Sequence, residues 1–188
     1  MSYFSVIKGL ITGDIPKSIR LDASTETMQV ITYEHHEVHA GCHFFYTDSV
    51  SVNSDAAQNY LITTPDTTKW AHFVFDIDGL GVTDIKIYEG GDRVGTSGQT
   101  IFNSDRNSAT SATTTIHKWT STGSTDGNLI YSYKSGSDTN QSRTTSQAEH
   151  NEEIILKQNT KYLIVIASTT NSNLINCHLS WYEHTNRS

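Results

Sequence analysis

From about residue 28 onward, short apolar runs alternate with turn residues every 8 to 15 positions or so. In residues 69–78, Ala71, Phe73, Phe75 and Ile77 share one parity and therefore one face of an extended chain. In residues 83–89, Ile85 and Ile87 point one way, Lys86 and Tyr88 the other. Further runs of this kind cover residues 28–38, 42–50, 58–64, 112–119, 127–133, 152–156, 161–168 and 174–183. Asp-Gly, Gly-Gly, Asn-Ser and Ser-Gly steps punctuate them, and these supply the φ values that tight turns between strands require. No window carries a long amphipathic helix. Residues 90–107 and 135–149 are rich in Gly, Ser and Asn and read as long surface loops. The pattern predicts an all-β chain, an antiparallel β-sandwich of jelly-roll type over residues 27–188, with no internal repeat.

Residues 1–26 follow a different rule. Phe4, Val6, Ile7, Leu10, Ile11, Ile15, Ile19 and Leu21 are too apolar for an idle tail and hold neither a period of 2 nor one of 3.6. The segment reads as an extended N-terminal arm that buries these residues against a partner. The competing reading is a strand and turn within the domain's own sheet.

Composition narrows the function. The chain has 188 residues, 35% hydrophobic, 10% aromatic and 18% charged, enough for one domain with a real core. Ser and Thr make up about a quarter of it, which favours strands and turns over helix interiors. With 13 basic against 20 acidic residues and a net charge of −7, it lacks the electrostatic footprint of a nucleic-acid binder. The longest apolar run, residues 162–167, is too short to cross a bilayer, so no membrane partner is expected. The start Met1-Ser-Tyr-Phe-Ser-Val-Ile-Lys8 is a poor export signal. A reducing cytoplasm is the expected place of synthesis, with Cys42 and Cys177 as free buried thiols.

The densest chemistry lies in Tyr33-Glu-His-His-Glu-Val-His-Ala-Gly-Cys-His43. Imidazoles, acids and a thiol are the donors that zinc or nickel takes. As a strand, however, the segment sets His35, His39 and His43 roughly 13 Å apart in sequence, too far to share an ion unless the chain folds back at Ala40-Gly41. The expectation is therefore no metal and no cofactor. No Lys or Arg occurs between Arg20 and Lys69, whereas Asp22, Glu26, Glu34, Glu37, Asp48, Asp55 and Asp66 do. Carboxylates favour protonated imidazole, so Glu34, His35, His36, Glu37, His39 and His43 form a candidate pH-sensitive cluster, with the pKa of His39 or His43 raised. Burial would reverse that shift, and a plain solvated acidic face is the alternative.

Asp76-Ile-Asp78-Gly79-Leu-Gly81 begins like a calcium loop but lacks a side-chain oxygen at Leu80 and the bidentate acid at Ile87, so it reads as a turn after a strand. Gly90-Gly-Asp-Arg-Val-Gly95 lacks the Gly-Lys-Ser/Thr ending of a phosphate-binding loop. Without a nucleophile elbow or ordered Ser/His/Asp spacing, no catalytic residue is assigned and the chain does not read as an enzyme. Trp70, Trp119, Trp181, Tyr88, Tyr131 and Tyr133 are the aromatics available for stacking on a sugar.

Several segments carry a resemblance. Ile31-Thr-Tyr-Glu-His-His-Glu-Val-His-Ala-Gly41, Thr64-Pro-Asp-Thr-Thr-Lys-Trp-Ala-His72, Ile87-Tyr-Glu-Gly90, Asn103-Ser-Asp-Arg-Asn-Ser108, Glu153-Ile-Ile-Leu-Lys-Gln-Asn-Thr-Lys-Tyr-Leu163 and Trp181-Tyr-Glu-His-Thr-Asn186 resemble a family of small tailed-phage virion proteins, and Pro16-Lys-Ser-Ile-Arg20 extends the likeness into the arm. The resemblance implies a structural role on the virion, decorating or cementing the capsid shell after assembly in the host cytoplasm. Its partners would be the major capsid protein and further copies of the chain, a trimer first among the oligomers. Cys42 and His43 stand where small or polar residues are usual. The alternative is a head- or tail-fibre module that binds a host-surface glycan.

Overall fold

A computed structural model of the chain describes residues 33–119, 125–136, 146–149 and 153–185. Contacts divide the chain into two units, Met1–Tyr33 and Glu34–Ser188. All the arm residues expected to anchor the protein lie outside the described residues.

The body opens with helix α1 (Tyr33–His39), followed by β1 (His43–Val52), β2 (Ala56–Thr63), β3 (Lys69–Gly79) and β4 (Thr83–Gly90). After these come β5 (Gly95–Gly98), β6 (Phe102–Asn103), β7 (Thr115–Trp119) and β8 (Gly127–Ser135). The chain ends with β9 (Ser146–Glu149), β10 (Ile154–Leu156), β11 (Lys161–Ser168) and β12 (Asn173–Thr185). Sheet I runs β10-β3-β12-β1-β6, with β9 also paired to β3; sheet II runs β5-β7-β2-β11-β4-β8. Four antiparallel pairs, β1 with β12, β2 with β11, β3 with β10 and β4 with β8, are the rungs of one long hairpin. The rungs alternate between the sheets, which rolls that hairpin into a jelly roll. The all-β sandwich expected from the patterning is the fold.

Alternation sets the core. Phe73, Phe75 and Ile77 of β3 face inward beside Trp181, Leu179 and Cys177 of β12, their register partners. Across the sandwich stand Tyr60, Ile62, Ile85, Ile164 and Ile166. Ring contacts bridge the sheets, Tyr46 to Tyr60 at 5.8 Å and Phe75 to Tyr131 at 5.0 Å between centroids. A polar tie joins them as well: Asp48 of β1 accepts from the Tyr60 hydroxyl at 2.6 Å and pairs with Lys118 of β7 at 2.8 Å.

Two expectations need correction. The end of the expected 28–38 strand is helical, because Tyr33–His39 forms α1. Glu34 in its first turn and His36 and His39 in its last suit the helix dipole. The helix ends in a Schellman turn: Gly41, at φ +68°, donates to the Val38 carbonyl and Cys42 to the Glu37 carbonyl, both at 3.0 Å. The presumed loops also contain strands, β5 and β6 within 90–107 and β9 within 135–149. β5 and β7 extend sheet II beyond β2, and β6 extends sheet I beyond β1. β5 and β6, at the edges, are held by backbone pairing, so their sequences need little apolar content.

Candidate functional site

The helix changes the geometry of the histidine cluster. Residues four apart on a helix are neighbours, and the Nε2 atoms of His35 and His39 lie 3.0 Å apart with their rings edge to face. The strand separation expected between those two is therefore wrong. His36 sits 3.4 Å from the carboxylate of Glu37, a residue only 5% exposed. His43, on β1, is buried; its Nδ1 meets Ser104 Oγ at 2.6 Å and its Nε2 lies 3.7 Å from Glu34. Burial pulls the His43 pKa below its usual value; Glu34 and Glu37 oppose this and the His178 charge assists it. The raised pKa expected at this position is thus reversed, because desolvation outweighs the carboxylates.

Backbone register then carries the cluster across the sheet. His43 pairs with Tyr182, Tyr182 with His72, and His72 with Ile155, so one row crosses β1, β12, β3 and β10 on the outer face of sheet I. The His72 ring stacks on Tyr182 at 4.6 Å and on His184 at 4.3 Å. The Glu153 carboxylate accepts from the Tyr182 hydroxyl and holds His72 Nδ1. This orients the ring, and its buried Nε2 has no hydrogen-bond partner among the described residues. Burial pushes the Glu153 carboxyl up, but Tyr182, His72 and His184 together bring it below the usual range. Reading along the chain missed His72, Tyr182, His184 and Glu153 as a group. Their only signal was membership of the segments that carry the resemblance.

Next to that row the same face holds a groove of about 390 Å³, lined by Thr47, Ser49, Asp76, Asp78, Asn176 and His178 among others. Ser49 donates to the Asn176 amide oxygen at 2.9 Å, and that amide donates to Asp78 at 3.4 Å. Asp76 and Asp78 thus belong to the body of β3, and the turn follows it. The aromatics named for stacking are scattered. Trp181 is in the core, Tyr131 packs on Phe75 between the sheets, and Tyr133 is exposed on the edge strand β8. Both cysteines are free; Cys177 is buried, with burial pushing its thiol pKa up, whereas Cys42 is only half-buried. Among the described residues no three His, Cys, Asp or Glu side chains gather as a metal-binding group.

One deeply placed carboxylate belongs to the scaffold. Glu183 accepts from the Thr113 and Thr114 amides, the Thr113 hydroxyl and Trp181 Nε1, tying the segment before β7 to β12. Burial pushes its carboxyl up, and those donors bring it below the usual range. No family model, curated protein or solved structure gives a significant match to this chain.

Proposed function

We propose that this protein is a structural component of a tailed-phage virion, a non-enzymatic jelly-roll body that decorates or cements the capsid surface. One observation carries the reading. Five of the seven stretches that carry the resemblance, 31–41, 64–72, 103–108, 153–163 and 181–186, lie far apart in the chain, and residues of all five meet at the His43–Tyr182–His72 row. A packed patch made of imidazole, phenol and carboxylate suits protein contact. The jelly roll is itself a frequent capsid architecture, although fold alone does not assign function. In this reading residues 1–26 anchor the protein to the major capsid protein. An arm that buries about 800 Å² of apolar surface gains roughly 20 kcal/mol gross, much of it offset by ordering and association costs. A homo-oligomer, a trimer in the first instance, would repeat the anchor around a capsid symmetry axis.

The test is deletion of residues 1–26 followed by co-sedimentation with capsids. The reading expects a folded body that no longer binds, and normal binding by the truncated chain overturns it. A second reading, a fibre module for a host glycan, is favoured by the groove beside the row, whose hydroxyl, amide and carboxylate groups suit sugar hydroxyls. Imaging of particles separates the two: hundreds of copies over the shell mean decoration, and a few at one vertex mean a fibre.

A further inference from the structure

The geometry points to a divalent transition-metal chelate on α1, formed by His35 and His39. Zinc–imidazole bonds are about 2.0–2.1 Å, so two imidazole nitrogens on one ion stand about 2.9 Å apart at a right angle and about 3.4 Å apart in a tetrahedron. The observed Nε2–Nε2 separation of 3.0 Å falls between these values. Without a cation the contact is an N–H···N hydrogen bond in which one ring donates to the bare Nε2 of the other, and it holds both nitrogens aimed at one place. A cation that enters there sits off the N···N line. Binding uses both Nε2 lone pairs, so the proton shared in the contact leaves Nε2, to Nδ1 of its own ring or to solvent. Both side chains are exposed, so a cation can reach them from solvent. Glu34 and Glu37 on the same helix, within a stretch from Arg20 to Lys69 free of intervening Lys and Arg, favour cations. Nitrogen donors select zinc, nickel or copper(II) over calcium and magnesium, which prefer oxygen. The inference stands on α1 alone and is independent of the virion reading.

The decisive experiment titrates the untagged full chain with Zn²⁺, read by calorimetry and by the imidazole nitrogen signals in NMR. The first equivalent should shift the Nε2 signals of His35 and His39 ahead of those of the other histidines. His35→Ala and His39→Ala should each weaken that binding by roughly tenfold or more, since each removes one of two ligand bonds. His36→Ala, on the same helix outside the pair, should bind as the parent does. Ala is the best helix former, so these exposed substitutions keep α1, which far-UV circular dichroism checks. If the first equivalent moves other histidines, if either pair variant binds like the parent, or if His36→Ala loses as much, the chelate is overturned.

Discussion

Glu183 shows what a single buried charge contributes here. Four donors surround its carboxylate, and protonation would turn one acceptor oxygen into a donor facing donors. Its folded pKa lies below the unfolded one, so its stabilisation is present above the unfolded carboxylate range and is lost as pH falls through the folded value. Asp48, Glu89 and Glu153, also held low, add to the same acid limb. Glu183→Gln should lower the urea unfolding free energy at neutral pH by about 1–3 kcal/mol and flatten that limb. His43 acts in a higher window. Its pKa is lowered by burial among Glu34, Glu37, His178 and Ser104, so the neutral ring's contribution is complete above about 6.5 and fades as pH falls through the folded value. Urea midpoints measured across pH 5 to 8 should therefore fall toward acid, and His43→Gln should remove the step nearest neutrality. A midpoint that rises on acidification would contradict this sign. Acids and imidazoles in 34–43 are evident in the sequence, but the direction of the His43 shift depends on burial by Ser104 and its neighbours, which lie about sixty residues away.

At the scale of elements, α1 is the instructive case. His35, His39 and His43 are spaced by four, which is compatible both with one face of a strand and with one face of a helix. The stop at Gly41 decides for the helix, since a left-handed residue there closes the Schellman turn. The loop at 103–110 then caps the turn: the Asn103 amide donates to the Gly41 carbonyl at 2.8 Å and to the Thr110 carbonyl at 3.0 Å. A Cβ at Gly41 would be left-handed and would come within 2.5 Å of Ser108 Oγ. Gly41→Ala should therefore destabilise the body by about 1–2 kcal/mol from the backbone alone, with faster amide exchange in α1. Ser108→Gly in the same chain should restore only the part due to contact. An Ala variant as stable as the parent would mean the turn is not needed. The long alternating strands were legible because one buried face imposes parity. β5, β6 and β9 were not, because their backbone pairing carries little side-chain signature.

The sandwich body joins its first described strand to its last. β12, the last strand, lies between β1 and β3 and brings Ile175, Cys177, Leu179 and Trp181 into the core. Pairing of 43–52 with 173–182 joins stretches more than a hundred residues apart, so folding should be slow, in the millisecond-to-second range typical of β-sandwiches. Ending the chain at residue 172 would strip the centre of sheet I and orphan the ladder groups of two strands. Near-UV circular dichroism of that truncation should show no fixed aromatic packing, and retention of a cooperative urea transition would refute the central role of β12. The alternation of apolar and polar residues, with its glycine and hydroxyl turns, was enough to determine an all-β sandwich and most of its strands, because periodicity is local and a two-sided sheet enforces it. Strand order and the joining of His43, His72, Glu153, Tyr182 and His184 into one row were decided by the tertiary structure alone. They depend on which strand lies beside which, and that choice is made by long-range burial that no local window contains.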